Sequence, residues 1–483
     1  MSESPLTRRR FLARSAATGA VVLAGSDEAS ARALMPGPGA AAVKQRPTKA
    51  GKMFGNLLRR VKASYPDKTT FRLLEQVAAS PVTTNKMVDV AFGLLGNYSA
   101  AGSEHPPPIP PAPALSFPAE NRQHYRVQTE WYYLSLSLKL DNGALVSIVA
   151  TFFRSPIGSA PPIRGVAPLA QQMFSTSIGI TVRDLPGQAD AHYAVPTTSF
   201  YAPTGGVRIS NNPFELTLGK NSLKGGRDVF PLRVRLVNDA VPSIGLPRID
   251  VNVTCAATNP RFLQGKDGYV GAEGFASFYY YSWPQQQTSG TVTIGGKRHG
   301  AGGITWVDHQ WGANPAPARG SVPVPEGGWS WFEFQFDGNR SLTLVFPHKP
   351  LQNGRLPFTP INGIGTYVDG KSSTFLLGTV TIPEGSPYVR SPLTKALYPT
   401  QWVLKTVTGP SIQVIPTVAV EPSTLYFASF HEYSEAACTA VGTLADGSTM
   451  KGVGICETVG MEAPTHYKAR CVAYLKAGLR KGR

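Results

Sequence analysis

The chain has 483 residues, 42% of them apolar and 16% charged, with 49 glycines, 42 prolines and a formal net charge of +17. That much glycine and proline excludes a helical bundle, while an aromatic content of 10% excludes a disordered chain and points to many short strands joined by turns. The basic residues are scattered, with no run of five and no known module, which excludes nucleic acid as a partner and leaves solubility or attraction to an anionic envelope surface.

In chain order, Thr7-Arg8-Arg9-Arg10-Phe11-Leu12 is the twin-arginine export pattern. The weakly apolar run from Ala13 to Gly25 that follows is too short to span a membrane, and Ala29-Ser30-Ala31 or Ala31-Arg32-Ala33 offers a cleavage site. Residues 1–33 are therefore expected to be a signal peptide that hands the folded chain to the twin-arginine translocase, for a periplasmic or extracellular location. Residues 34–119 read as a disordered start, a helical segment and a proline-rich linker. Helical spacing is carried by Met53, Leu57, Leu58 and Val61 and by Phe71, Leu74 and Val77. Seven prolines between Gly102 and Pro118 carry the linker.

From about residue 120 the pattern has period two. Glu130 to Leu140 puts Leu134, Leu136, Leu138 and Leu140 on one face and Trp131, Tyr133, Ser135 and Ser137 on the other. Asp141-Asn142-Gly143 turns the chain into a partner strand, Ala144 to Arg154. The same grammar recurs from Trp329 to Phe336, with a turn at Asp337-Gly338-Asn339. A second repeat lays residues 275–302 on 427–454 without a gap, with 11 of 28 positions identical, including two Phe-Ala-Ser-Phe runs. The two repeats predict a mainly β chain of two tandem antiparallel barrels, over 120–318 and 325–483, whose closure hides the sheet edges.

Function is sought where the copies differ. The first half reads Trp306-Val307-Asp308-His309-Gln310-Trp311-Gly312, and the second half lacks it at the same offset. Asp308 and His309 are candidate proton donors or relays in an apolar cavity; a salt-bridged core pair is the alternative. Glu333 shares a strand face with Trp329, Trp331 and Gln335, so indoles would desolvate its carboxyl and raise its pKa, unless that face is open to solvent. Glu130 beside Trp131 is a third candidate, with a purely structural partnership as its alternative. No G-x-S-x-G elbow, dinucleotide or P-loop motif occurs, and eight isolated histidines give no metal spacing, so neither metal nor cofactor is expected. Four cysteines are too few for a disulfide scaffold. A turn near Asp446-Gly447 sets Cys438 and Cys456 nearly opposite, as a disulfide formed after export or as two buried thiols.

Thr129-Glu130-Trp131-Tyr132-Tyr133, Thr151-Phe152-Phe153-Arg154, Phe278-Tyr279-Tyr280-Tyr281-Ser282 and Asp308-His309-Gln310-Trp311-Gly312, in this order, resemble the motif set of the hydroxyneurosporene synthase or carotenoid 1,2-hydratase family. That family is also called AttH-like and has kievitone hydratase among its relatives. The resemblance covers about residues 120–480 and implies tandem lipocalin-like barrels and a cofactor-independent hydro-lyase that protonates an alkene and lets water capture the cation. The family's Tyr-x-Asp proton-carrying pair is met here by Trp331-x-Glu333. The substrate expected is a hydrophobic small molecule of terpenoid, carotenoid or polyketide type, and the other reading is a non-catalytic lipocalin-type carrier of hydrophobic ligands in the cell envelope. Trp306, Trp311, Trp329, Trp331, Tyr279 and Tyr281 would supply cation-stabilising faces. Asp308, His309 and Trp311 are expected to line one cavity in the first barrel, Glu130, Trp131 and Tyr133 to approach from its first strand, and the second barrel to act as a wall.

Overall fold

The computed structural model describes residues 46–481, apart from 63–66, 95–114, 157–168, 314–327, 349–354, 428–430 and other shorter gaps. The signal peptide and most of the proline-rich linker lie outside the described residues. No helix among the described residues is long and apolar enough to cross a membrane.

Among the described residues, three helices form one layer together with a further helical stretch at residues 86–88 and 90–91. Helix α1 (Lys49–Val61) is capped by Thr48, whose hydroxyl accepts from Gly51 N, and α2 (Lys68–Ala79) by Asp67, whose carboxylate accepts from Thr69 N and Thr70 N. Helix α3 (Pro464–Arg480) returns from the far end of the chain to pack with them. Phe54, Leu58, Phe71, Leu74, Val77, Met87, Val90, Cys471 and Leu475 make their common core. Phe54 takes the core position, and the neighbouring Met53 is half-buried. Lys468 of α3 also pairs with Asp67 at 2.8 Å. The C-terminal end of the 325–483 stretch thus belongs to this helical layer.

Most of the remaining described residues form antiparallel sheet. The first half runs β1 (Thr129–Leu140), β2 (Leu145–Pro156), β3 (Gln172–Arg183), β4 (Ala191–Tyr201), β5 (Val207–Asn211), β6 (Phe214–Leu218), β7 (Asn221–Lys224), β8 (Leu232–Asn238), β9 (Ile249–Cys255), β10 (Phe262–Leu263), β11 (Tyr269–Ala272), β12 (Ala276–Ile294) and β13 (Lys297–Ala313). The second runs β14 (Gly328–Phe336), β15 (Arg340–His348), β16 (Ile361–Asp369), β17 (Ser372–Thr381), β18 (Tyr388–Arg390), β19 (Leu397–Pro399), β20 (Val403–Thr406), β21 (Ile412–Val418), β22 (Thr424–Phe427), β23 (His431–Leu444) and β24 (Thr449–Val459).

The second half closes: β21-β20-β17-β16-β15-β14-β24-β23 is a ring because β21 also pairs β23. The first half is a curled sheet, β4-β3-β2-β1-β13-β12-β9-β8-β7-β6-β5, whose two ends are not paired with each other among the described residues. The internal repeat appears as two long hairpins, β12–β13 and β23–β24, each flanked by the first strand of its own half. Period two holds as read: Leu134, Leu136, Leu138 and Leu140 fill the first core, and Phe332, Phe334 and Phe336 the second.

The halves meet through the outer faces of β1 and β13 on one side and of β14, β23 and β24 on the other. Tyr133, Val149, Trp306, Ala437 and Ile455 form a small core of their own there, flanked by Trp131 and Trp331. A bulge between Trp283 and Gln286 turns Gln285 toward the second half. Its backbone N donates to Gln335 Oε1 at 2.9 Å, and its Nε2 to Arg340 O at 2.6 Å.

The β23–β24 register sets Cys438 opposite Gly454 and Cys456 opposite Ala436, a diagonal rather than a facing pair. Both thiols are buried in the second core with Sγ atoms 3.7 Å apart, against about 2.05 Å for a disulfide.

Because Leu475 is fully buried between α3 and the N-terminal helices, Leu475→Ala is expected to cost about 2–5 kcal/mol in denaturant unfolding. An unchanged midpoint would show that the helical layer is not a packed core.

Candidate functional site

Asp308 and His309 are consecutive on a strand, so their side chains leave by opposite faces. The structure therefore separates the expected single site into two, back to back across β1 and β13. His309 and Trp311 face the interior of the first half with Glu130, Tyr279 and Tyr281. Asp308 and Trp306 face the second half with Tyr133, Trp329, Trp331 and Glu333. Trp131 also lies on that outer face, away from Glu130. The expectation that Asp308, His309 and Trp311 share a cavity is corrected by this alternation.

The inner cluster is built on Glu130. Its Oε1 is 2.8 Å from both His124 Nδ1 and His309 Nε2, and its Oε2 accepts from His124 N at 2.8 Å and from Arg154 Nε at 3.2 Å. Burial pushes the Glu130 carboxyl up, but His124, His309 and Arg154 outweigh it and hold it well below the usual carboxylate range. Burial pulls the His309 imidazole down to about 4, so it is neutral. Its Nε2–H then donates to Glu130, and Nδ1 accepts from the Tyr281 hydroxyl at 2.7 Å. Burial also lowers His124, but Glu130 and Glu120 outweigh it and raise this imidazole. Tyr132 stacks on His309 and Trp311 on His124, both at 4.0 Å.

His124, Glu130 and His309 each offer a ligand atom, all within 4.8 Å of one another, and are the residues that could hold a metal. The cluster is already paired, since the Glu130 and Glu120 carboxylates face the Arg154 guanidinium and the His124 imidazole, whose pKa they raise. A divalent ion would have to break these pairings and add net charge to a closed, buried network, so the donor set fits a structural clasp better than a metal centre. The clasp fixes the segment around His124 to the sheet, with Arg154 Nη1 and Nη2 donating to Val127 O at 2.8 Å and His124 O at 2.9 Å.

The outer cluster has the opposite electrostatics. Asp308 accepts from Ser282 Oγ at 2.5 Å, Trp306 Nε1 at 2.6 Å and Tyr280 hydroxyl at 3.0 Å. Burial pushes its carboxyl up to about 7 against these three donors. Glu333 accepts only from Ser135 Oγ, its Oε2 has no hydrogen-bond partner, and burial pushes it up to about 8. Two further acids, which the sequence reading missed, face the same interface. Glu435 and Glu457 sit directly opposite each other on β23 and β24, and Glu457 accepts from Trp329 Nε1 at 2.6 Å. Burial raises both carboxyls; the Glu457 charge pushes Glu435 up further, while hydrogen bonding to Glu435 and Trp329 holds Glu457 back to about 7. The Tyr133 hydroxyl, buried and without a partner, is under the influence of all four acids. Its ring stands edge-on to Trp331 at 5.2 Å. A chain of hydrogen bonds from Asp308 through Ser282 and Gln264 to Thr343 crosses between the halves. The surroundings are therefore aromatic, poor in water and acidic, with proton-bearing carboxyls near neutral pH.

A family model described as AttH-like matches residues 108–461. Among solved structures, one assigned to AttH from Nitrosomonas europaea matches with a TM-score of 0.56 and 20% identity, over 74% of this chain and 99% of its own. Kievitone hydratase from Nectria haematococca matches with a TM-score of 0.50 and 16% identity, over 73% of this chain and 94% of its own. Both similarities show the fold. No curated protein matches the chain in sequence.

The two clusters give opposite pH signatures. Glu130→Gln strands the Arg154 guanidinium in the core and is expected to cost about 3–5 kcal/mol in denaturant unfolding at pH 7; a loss under about 1 kcal/mol would contradict the clasp. The raised carboxyls of Asp308 and Glu333 stabilise the fold fully below their unfolded pKa, and this contribution is lost as pH rises through about 7 and about 8. Unfolding free energy should therefore fall between pH 5 and pH 8 by on the order of a few kcal/mol, and Glu333→Gln should flatten that slope; a slope identical to that of the parent would remove the outer cluster from the account.

Proposed function

We propose, from the premise that the chain belongs to the AttH-like family, that it is a hydratase-type enzyme whose chemistry runs between its two halves. The observation that carries this reading is the pair of buried carboxyls with unequal surroundings, Glu333 and Asp308. Glu333, with a single donor and a bare Oε2, is the acid that holds a proton at neutral pH. Asp308, held by three donors, is the first of the two to ionise and is the base.

Glu333 gives its proton to one carbon of an alkene, and the other carbon becomes a carbocation. The faces of Trp331, Trp306 and Tyr133 stabilise that charge. Water adds its oxygen to the cation and loses a proton to Asp308, which passes it back to solvent or to Glu333. Atoms balance as alkene plus water giving an alcohol, with no electrons exchanged. Kievitone hydratase, whose fold this chain shares, supports hydration as the reaction class. The substrate proposed is a hydrophobic terpenoid, carotenoid-like or polyketide alkene. Export through Thr7-Arg8-Arg9-Arg10-Phe11-Leu12 belongs to the same proposal. In this arrangement His309 and Glu130 act as positioning residues that hold β1 and β13 in register behind the site.

The test begins with native mass spectrometry to identify a co-purifying hydrophobic ligand, followed by incubation of candidate alkenes in oxygen-18 water with the alcohol read by its mass. Glu333→Gln and Asp308→Asn are each expected to lower turnover by about 10²-fold or more while leaving ligand binding in place. The rate should peak between about pH 7 and pH 8, falling below as Asp308 takes a proton and above as Glu333 loses one. Undiminished turnover in both variants would refute the mechanism, and tight binding of a ligand that is never converted would make the protein a carrier.

A further inference from the structure

Five large apolar side chains are exposed among the described residues, and all five lie on the second barrel: Phe375, Leu377, Val407, Ile415 and Val441, at 44–64% exposure. Scattered exposed apolar residues are ordinary on a protein surface, but these are neighbours. Leu377 on β17 accepts from Val407 N at 2.8 Å, just past the end of β20. Ile415 on β21 sits directly opposite Val441 on β23. Lys405 on β20 joins them, paired with Thr379 of β17 and Gln413 of β21, and Val441 faces Lys451 of β24. Across these five strands the surface is about 20 Å wide. Lys405 and Lys451 are both exposed on it. No acid occurs on β17, β20 or β21, and the two acids of β23, Glu432 and Glu435, are buried.

We infer that this face docks on an anionic phospholipid surface. Aliphatic and phenyl side chains enter the headgroup boundary, while lysine ammonium groups at the same level meet lipid phosphates. Charge selects this occupant over a second copy of the chain, because two strongly basic molecules repel. The attachment is peripheral, with the barrel lying against the bilayer, and it leaves the interface between the halves free. It stands independently of the hydratase reading.

Flotation of the purified protein with mixed phosphatidylglycerol and phosphatidylcholine vesicles, against phosphatidylcholine alone, tests the inference. Binding is expected only to the mixed vesicles and should weaken with added salt. Ile415→Ser with Val441→Ser, and separately Lys405→Glu with Lys451→Glu, should each reduce it by about tenfold or more without changing the melting temperature. Lys139→Glu, at an exposed lysine on β1, should leave binding unchanged. Equal binding to both vesicle types, no effect of either double substitution, or an equal effect of Lys139→Glu would each overturn the inference. So would a dimer, seen by analytical ultracentrifugation and dissolved by the apolar double substitution.

Discussion

The alternation of side chains along two adjacent strands governs this molecule. β1 pairs along its whole length with β13, and around Glu130 and His309 each presents one face to the interior of the first half and the other to the second half. Every polar residue on them is therefore assigned to one of two environments by the parity of its position. Asp308 and His309, one bond apart in sequence, end in separate electrostatic worlds, as do Glu130 and Trp131. A slip of a single residue would exchange the two sets. The Glu130 clasp, tying β1 to β13 through His309 and to β2 through Arg154, is the interaction best placed to prevent it.

The two environments show what burial does to ionisable groups when compensation is complete and when it is withheld. Around Glu130, opposite charges and hydrogen bonds exceed the cost of desolvation, and the carboxylate stays ionised in the core. Around Glu333 no cation offsets that cost, and the carboxyl keeps its proton instead. A fold selected only for stability would replace such acids with apolar residues of similar volume. Keeping Asp308, Glu333 and Glu435 buried in one interface carries a stability cost that points to chemistry.

Local patterns in the sequence revealed what depends on local patterns. The β1–β2 and β14–β15 hairpins follow from alternating leucines or phenylalanines and from turn residues, and the repeat at offset 152 revealed the duplicated β12–β13 hairpin. The face shared by Trp329, Trp331 and Glu333 was legible for the same reason. The same period, applied to Asp308 and His309, would have separated them, but their adjacency in one motif suggested a joint site. Glu435 and Glu457 escaped notice because neither belongs to a motif, and only the register brings them face to face. Helix α3 was missed because its partners lie in distant sequence, and His124 because its pairing with Glu120 and Glu130 follows no periodicity. The open edge of the first sheet likewise reflects a missing pairing between β4 and β5 among the described residues, which composition cannot foretell.

The return of α3 to the N-terminal helices bears on how the chain is made. Phe54, Leu74 and Val77 leave the ribosome before either sheet, but Cys471 and Leu475, which complete their core, follow both. Until α3 is made, the first helices lack the side chains that complete their core, while the strands of both sheets are already present. Helix α3 thus acts as a latch on the N-terminal helices. A chain broken off before α3 would leave part of that core open for a chaperone or protease to find, and one that carries α3 would cover it.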